Sequence, residues 1–541
     1  MSKSMAIFLM VVLCWYGAVT VSAQNVNPAG VGATPRSSNF DVFPDSTTYD
    51  EGWKVLDTDG LGADPVSGRE EFIVWAMDEN SGGQDAGCGP IKTVVSRNGI
   101  EIPKRGAYVA DDGYDFFQQA AILGSAEGAS GFGFFCGVGA DEQTGQFIGS
   151  HIIYGMDQIV SSILQPGAHP FANFSYINNA GRGADDFALF QRFDRNCVKV
   201  SNMTYGRNVP SPHHESPTVP LGWPTASANS RTGGCDILSD GNTVYVIADR
   251  ANQGGVGPAD HYGLNGATCQ LFTITDAAAS TYVVSTTNVY RRSDNTTLEN
   301  DNSQGTAAGQ GFWVNHVDAD GGSVAVFRNN GTRIGQIFGI GAAYNANPAQ
   351  LLGAAGRSVD GSGGKQCAAS EDKFYIPARY QDSATPGVDR PCILRFKVDI
   401  AQGTITPLSA LLVDDDFASL PTVSVSVGEM GIAAGSDDTV AIAWRNRNDA
   451  ARPPVARVYQ GDTPLTGSFY VSSLDPINET GYDSFFVKVG LSGPDVLVVW
   501  ESSNGISQMG VDCYNISKPV ATLGRVFEVQ KAAMVTNWDL Y

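Results

Sequence analysis

Short apolar runs rich in β-branched and aromatic residues recur along the chain. The clearest are Asp495–Trp500, Thr439–Trp444, Ser323–Phe327 and Glu71–Trp75. Each is entered through a turn rich in Gly, Asp or Ser and is left through a charged or Asn-rich segment. Continuous apolar runs of this length are typical of strands that are buried on both faces. The pattern predicts an all-β protein.

The apolar runs belong to a larger repeat. Their last core residues are Trp75, Phe135, Phe190, Ile247, Phe327, Ile376, Trp444 and Trp500, with a mean spacing of about 61 residues. An apolar segment precedes each run across a tight turn such as Ser239–Asn242, in which Gly, Asn and Asp tolerate positive φ angles. A segment with period-two alternation follows, as at Ile91–Val95, and often a fourth, as at Ile405–Leu412. Four antiparallel strands per repeat are typical of a propeller blade.

This repeat resembles that of extracellular β-propellers with seven or eight blades. The resemblance implies a single propeller domain over 24–541, with eight four-stranded blades and long loop insertions. No family-defining blade motif accompanies it: Ser239–Thr243 and Asp318–Ser323 echo the aspartate box of sialidases, but the Trp of that box is absent. Two β-sandwich domains are the alternative, although sandwiches do not require one four-strand unit to recur.

The N-terminal residues 1–23 read as a signal peptide. Lys3 is a minimal basic region, Ala6–Leu13 is apolar, and Val21–Ala23 is a small-residue cleavage site that leaves Gln24 as the first mature residue. The competing interpretation is a membrane anchor, but Gly17 and Thr20 interrupt the run. No later stretch approaches the roughly 18 apolar residues of a spanning helix. We therefore expect a protein without membrane insertion that is secreted or held at the cell surface.

The composition agrees with export and excludes one class of partner. Lys plus Arg total 34 against 56 for Asp plus Glu, which gives a formal net charge of −22. This excess repels nucleic acid. Six Asn-x-Ser/Thr sequons permit N-glycosylation, at Asn173, Asn202, Asn295, Asn330, Asn478 and Asn515.

Cysteine usage also suits an oxidising compartment. Without Cys14 of the signal peptide, an even number remains: Cys88, Cys136, Cys197, Cys235, Cys269, Cys367, Cys392 and Cys513. An even number in an exported chain predicts disulfides, although the spacing does not determine connectivity. The pairs that fall within one repeat are Cys235 with Cys269 and Cys367 with Cys392.

Acidic turns are candidate calcium sites. Asp57, Asp59 and Asp64 surround a glycine turn, and Asp318 and Asp320 form a weaker second group. Oxygen ligands on a short loop suit Ca²⁺. The bidentate acidic residue that closes such loops is not evident. The alternative interpretation is therefore a hairpin turn with solvated carboxylates.

Two further features interrupt the repeat. The histidine cluster His213-His214-Glu215 lies among prolines, and adjacent residues of an extended segment point to opposite faces, which favours a surface connection over a catalytic site. The longest interval between core runs contains two polar insertions, Ala251–Ala267 and Arg291–Gly311. Insertions of this size form a binding surface or a lid in many proteins. The alternative interpretation is a tolerated surface insertion without a function.

Two functions fit these observations. The first is a secreted, non-enzymatic binding or cell-surface structural protein that recognises a glycan or a protein through the rim loops. The second is a secreted carbohydrate-active enzyme, a glycoside hydrolase or polysaccharide lyase, with its site at the central channel. A cleft with two carboxylates would favour the enzyme, and a channel closed by apolar side chains would exclude it. The sequence sets no oligomeric state.

The calcium hypothesis predicts that removal of Ca²⁺ by a chelator lowers the midpoint of thermal unfolding, because an ion bound only to the native state stabilises that state. The measurement compares the protein in EDTA with the same sample after excess Ca²⁺ is restored. Equal midpoints would contradict a structural calcium role.

Overall fold

The described part of the protein folds almost entirely into β-strands, with two short helices. The structure, a computed structural model, describes residues 32–42, 53–78, 87–97, 99–105, 137–153, 187–198, 204–205, 228–237, 243–252, 270–275, 283–288, 303–317, 322–329, 332–360, 366–413, 430–445, 454–472, 482–504 and 521–530. The predicted signal peptide lies outside these ranges. No helix within them has the length and apolar character needed to cross a membrane.

Over the described ranges the strands form seven antiparallel sheets, here called blades 1 to 7 in chain order. Blade 1 contains β3 (Trp53–Ala63), β4 (Glu70–Asp78), β5 (Gly87–Ser96) and β6 (Gly99–Arg105). Blade 2 contains β7 (Val138–Ala140), β8 (Phe147–Ile153), β9 (Phe187–Phe193) and β10 (Thr204–Tyr205). Blade 3 contains β11 (Ala228–Ile237), β12 (Thr243–Asn252), β13 (Gln270–Thr275) and β14 (Val283–Asn288). Blade 4 contains β15 (Ser303–Gly309), β16 (Phe312–Val317), β17 (Ser323–Arg328) and β18 (Arg333–Ile337).

The last three blades carry extra short strands. Blade 5 contains β19 (Arg357–Asp360), β20 (Ala368–Ser370), β21 (Lys373–Asp382), β22 (Thr385–Asp399) and β23 (Thr404–Leu412). Blade 6 contains β24 (Met430–Ala434), β25 (Thr439–Arg445), β26 (Pro454–Gln460), β27 (Thr463–Pro464) and β28 (Phe469–Tyr470). Blade 7 contains β29 (Tyr482–Ser492), β30 (Asp495–Asn504) and β31 (Ala521–Val529), together with β1 (Ala33–Pro35) and β2 (Phe40–Asp41) from the N-terminal end.

The blades form a closed ring. The first strand of each blade is its inner strand: β3 contacts β29 and β7, β11 contacts β7 and β15, and β20 and β24 continue the series from β15 back to β29. Four-stranded antiparallel sheets in such a cycle make a β-propeller, as predicted. The ring closes through strand pairing, because β1 and β2 pair with β31 and complete blade 7.

The predicted count of eight blades is not confirmed, since the described residues form seven. Phe135 lies outside the described residues, and Phe190 belongs to β9, the third strand of blade 2. Phe327 also lies on a third strand, whereas Ile247 and Trp500 lie on second strands. The apparent period of the sequence therefore drifts because the apolar runs sample different strands of the blades.

Where their side chains are described, the second strands such as β4, β25 and β30 are buried on both faces, and alternate side chains pack against opposite neighbours. In β30, Val496, Val498 and Trp500 join the apolar cluster between blades 6 and 7. Leu497 and Val499 join the cluster between blades 7 and 1. The period-two alternation of a strand thus supplies two interfaces from one continuous apolar run. This confirms the interpretation of Trp500 as an inter-blade packing residue.

Trp75 shows how closely neighbouring blades pack. Its indole contacts Phe193 of blade 2 with ring centroids 6.0 Å apart. A Cβ atom added to Gly149 of β8 would lie 2.2 Å from the same ring. Because this separation is far below a van der Waals contact, only glycine allows β8 to approach the indole.

One predicted disulfide is wrong. Cys392 is a buried free thiol on β22, and burial raises its pKa. Cys367 directly precedes β20, so that β21 separates the two residues. Two strand spacings, about 9.5 Å, exceed the roughly 7 Å that a disulfide spans between Cα atoms. Cys269, the predicted partner of Cys235, lies outside the described residues.

Two helices, α1 (Ile340–Asn345) and α2 (Pro348–Leu351), lie in the connection from blade 4 to blade 5. Tyr344 of α1 reaches β22, where the pairing with β23 shifts register between Ile393 and Arg395. Its hydroxyl donates to the carbonyl of Arg395 at 2.7 Å and accepts from the amide of the same residue at 2.8 Å. The side chain therefore bonds both backbone groups beside the irregularity, where they need partners.

Replacement Tyr344→Phe should lower the free energy of unfolding by about 1–3 kcal/mol, because two buried backbone groups lose their partner. Urea denaturation followed by circular dichroism measures the change. Tyr459→Phe is the matched control. It removes a tyrosine hydroxyl whose bond to the carbonyl of Leu412, at 3.4 Å, is longer and therefore weaker than those of Tyr344. Equal losses in the two variants would contradict this role for Tyr344.

Candidate functional site

The two faces of the ring differ in the length of their connections. In each blade the strand ends joined by the first-to-second and third-to-fourth turns lie on one face, and the other strand ends lie on the opposite face. At that opposite face, called the long-loop face below, the residues between consecutive strand ends are 42–52, 79–86, 106–137, 154–186, 206–227, 253–269, 289–302, 338–356, 413–429, 446–453, 471–481 and 505–520. Of these connections, the structure describes only 338–356 in full. On the other face no connection is longer than 194–203. Most residues of the two polar insertions predicted to interrupt the repeat fall within the connections 253–269 and 289–302, which lie outside the described residues.

The central channel is lined by the inner strands, whose inward edges have no strand to pair with. Unpaired N–H groups at such an edge need other partners. Two aspartates of β3 provide acceptors for such N–H groups of blade 2. Oδ2 of Asp57 accepts from the amide of Val138 at 3.1 Å, and Oδ2 of Asp59 accepts from the amide of Ala140 at 2.9 Å. Residues two apart on a strand share one side, so both carboxylates reach the same neighbouring strand.

Gln366 continues this arrangement across the channel. It is 6% exposed and lies two residues before β20 of blade 5. Its Oε1 accepts from the amides of Ile432 in blade 6 and Val489 in blade 7, at 3.0 and 3.2 Å. Its Nε2 donates to Oδ1 of Asp57 and to the carbonyl of Val489. One side-chain amide thus joins four blades, and we call Gln366 with Asp57 and Asp59 the channel waist.

A glycine makes room for the amide of Gln366. A Cβ atom on Gly431 of β24 would lie 2.7 Å from Oε1 of Gln366 and 2.8 Å from the Cα of Lys488. Any larger residue at this position would separate β24 from β29 or displace the glutamine. The sequence shows a glycine in this inner strand, but only the structure places Gln366 against it.

Lys488 supplies the positive charge at the waist and is 4% exposed. Burial raises the pKa of Asp57, while the Lys488 ammonium and hydrogen bonds from Val138, Gln366 and Thr58 oppose that rise. The Asp57 carboxylate therefore exchanges hydration for protein donors and one nearby cation. Both of its oxygens already accept hydrogen bonds.

Three of the predicted calcium ligands, Asp57, Asp59 and Asp64, accept hydrogen bonds from backbone amides. Asp64 lies in the β3–β4 turn, where its Oδ1 accepts from the amides of Val66 and Ser67 at 2.9 and 2.7 Å. These bonds lower the pKa of Asp64, and the bond from the amide of Ser67 contributes most. Asp318 and Asp320 lie outside the described residues. Among the residues that the structure describes, no group of three or more His, Cys, Asp or Glu side chains is arranged to hold a metal.

A second turn repeats the geometry of Asp64. In the β7–β8 turn, Asp141 accepts from the amide of Gln143 at 3.0 Å and from the hydroxyl of Thr144 at 2.7 Å. Both turns have the sequence Asp-x-x-(Ser/Thr)-Gly and close with the glycine amide bonded to the aspartate carbonyl. This recurrence favours the hairpin interpretation of Asp64. Calcium binding at this position stays a prediction.

The two histidines among the described residues belong to different blades. His316 is fully buried on β16, and His151 lies on β8 of another blade. His213, His214 and Glu215 lie outside the described residues.

The structure contains a buried network of ion pairs that the sequence did not predict. Glu71 of β4 bonds Lys92 of β5 at 2.8 Å and Arg195 of blade 2 at 3.0 Å. Arg195 also donates to the carbonyls of Leu61 and Gly62 at 2.7 and 3.1 Å, and Lys92 donates to the carbonyl of Arg195 at 2.9 Å. Mutual bonding on this scale compensates the desolvation of buried charges. The network joins blades 1 and 2 and offers no unused group for chemistry.

No protein-family model and no curated protein matches the sequence. Among solved structures, the chain is similar to the NanB sialidase from Streptococcus pneumoniae (TM-score 0.40, 9% identity, 92% of this chain and 98% of that chain). It is also similar to Trypanosoma rangeli sialidase (0.33, 10%, 72% and 53%) and to an acylaminoacyl peptidase from Pyrococcus horikoshii (0.34, 5%, 80% and 47%). The chain spans about half the length of the last two proteins.

Replacement Gln366→Leu should lower the free energy of unfolding by about 2–4 kcal/mol, because the amides of Ile432 and Val489 would be buried without an acceptor. Urea denaturation measures this loss. Gln381→Leu is the matched control, since Gln381 is exposed and bonds only the Asp389 side chain among the described contacts. A loss no greater than that of the control would show that the waist does not hold the ring together.

Proposed function

We propose that this protein is a secreted or cell-surface binding or structural protein that recognises a glycan or another protein through the long-loop face. The observation that carries the proposal is the unequal distribution of connections between the two faces. Binding residues concentrate on loops that a rigid scaffold positions. A ring held by inter-blade packing and by the channel waist provides such a scaffold.

The waist bears on the enzymatic alternative. A buried carboxyl group with a raised pKa in a channel is the type of group that serves as a general acid. Asp57 has this character and lies near Lys488. However, its oxygens accept hydrogen bonds from Val138, Thr58 and Gln366. A substrate would have to displace one of these donors, so the waist favours a structural role for this carboxylate.

Export is part of the proposal and rests on the N-terminal sequence. The strongly acidic composition supports an extracellular glycan or protein as the partner over nucleic acid. A glycan or protein surface is large, and a face from which many long connections leave suits such a partner better than one narrow pocket does.

The test measures binding and turnover on the same panel of polysaccharides, glycoprotein glycans and extracellular matrix proteins. We expect binding to at least one component without release of product. Replacing 254–266, in the connection between β12 and β13 on the long-loop face, with a Gly-Ser linker should weaken that binding about tenfold or more, which corresponds to about 1.4 kcal/mol.

Blade 3 also provides the matched control. The same linker in place of 276–282 alters the opposite face of the blade and should leave affinity unchanged. Loss of binding in this variant alone would contradict the long-loop face as the binding surface. Product release that disappears in Asp57→Asn would establish the enzymatic alternative.

A further inference from the structure

Four charged side chains meet where the ring closes, between blade 7, blade 1 and the N-terminal strands. Asp495 begins β30 and lies directly opposite Glu528 of β31. Arg36 follows β1, with its Nε 3.4 Å from Oδ1 of Asp495 and its Nη2 3.0 Å from Oε2 of Glu528. Glu70 begins β4 of blade 1 and accepts a hydrogen bond from Ser492 at 2.6 Å. One guanidinium therefore pairs with two carboxylates, and the third carboxylate, that of Glu70, lies close enough to Asp495 to act on its charge.

The burial of these groups is unequal. The side chain of Asp495 is 3% exposed, whereas those of Arg36 and Glu528 are 40% and 38% exposed. Like charges directly opposite each other on antiparallel strands destabilise the pair. An ionised carboxyl group that is removed from water also loses its hydration. Protonation of Asp495 removes both costs, while Arg36 keeps Glu528 as its partner.

We propose that this junction of Arg36, Asp495, Glu528 and Glu70 is an acid-stabilised clasp. Asp495 is protonated when the ring is closed, so ring closure is stronger at mildly acidic than at neutral pH. The proposal concerns the scaffold and holds whichever ligand the long-loop face binds.

The titration of Asp495 agrees with this geometry. Burial, the largest cause, together with the charges of Glu70 and Glu528, raises the pKa of Asp495 to about 6, and Arg36 opposes the rise. A group whose pKa is raised in the folded state gives its full stabilisation below its ordinary pKa of 3.8. That stabilisation is lost as the pH rises through about 6. The free energy of unfolding is therefore greater at acidic pH than at neutral pH.

The experiment compares the wild-type protein with Asp495→Asn by urea denaturation at pH 4.5 and 7.5. Between these two values, the folding equilibrium constant of the wild type should fall by roughly twentyfold relative to that of the variant. The amide of asparagine is nearly isosteric and does not ionise, so the variant should lack this component of the pH dependence.

Glu101→Gln is the matched control. It removes one carboxylate from an exposed ion pair with Arg69, at 2.9 Å, and should retain the wild-type pH dependence. Hydrogen exchange locates the effect, because Gln530 bonds the carbonyl of Gly32 across the closure at 3.1 Å. After correction for intrinsic exchange, protection of 521–530 should decrease with pH more in the wild type than in Asp495→Asn. Equal pH dependence in those two proteins, or a wild type that gains stability relative to Asp495→Asn at pH 7.5, would overturn the clasp.

Discussion

The structure depends on partners for the inner strands, whose inward edges carry peptide groups without a neighbouring strand. Leaving such groups buried and unbonded costs about 1–3 kcal/mol each. The chain supplies substitutes from other blades. Asp57 and Asp59 serve blade 2, and Gln366 serves blades 6 and 7 while it bonds Asp57. Side-chain amides and carboxylates thus replace a missing strand, and the polar channel is part of what holds the ring.

Apolar packing and polar bonding divide the blade interface between them. Away from the axis, alternate side chains of the second strands fill the space between blades, with Trp500 and Trp75 among the largest buried groups. Near the axis, hydrogen bonds from side chains to backbone groups fix neighbouring strands. Between blades 1 and 2 the Glu71 network adds a buried ionic connection. Packing supplies most of the burial, and the directional bonds specify how adjacent blades are aligned.

The sequence predicted the features that depend on local periodicity. Continuous apolar runs identified the buried second strands, and turn chemistry placed the hairpins, so the four-stranded blade and the packing role of Trp500 were accessible. The blade count was less accessible, because third strands such as the one with Phe190 share the same composition. Periodicity cannot distinguish a second from a third strand when both are buried.

The residues of the channel waist were not accessible in the same way. Asp57 and Asp59 in a glycine-rich segment have the composition of a cation site, and only the approach of blade 2 gives their carboxylates backbone donors. Gln366 has no sequence neighbour that marks it, since its partners belong to three other blades. The Cys367–Cys392 pairing failed for a related reason. Membership of one repeat does not bring two residues within bonding distance when a strand lies between them.

The bond between Gln366 and Asp57 joins residues 309 positions apart in the chain. In an open solenoid each repeat contacts only its neighbours and can form in turn. Here the amide of Gln366 cannot find its partners until blades 1, 5, 6 and 7 are all in place. Because contacts between distant residues form only after the entropy of loop closure has been overcome, the waist should be completed late in folding. Chains that end before blade 7 would then lack both the circular arrangement and the centre of the molecule.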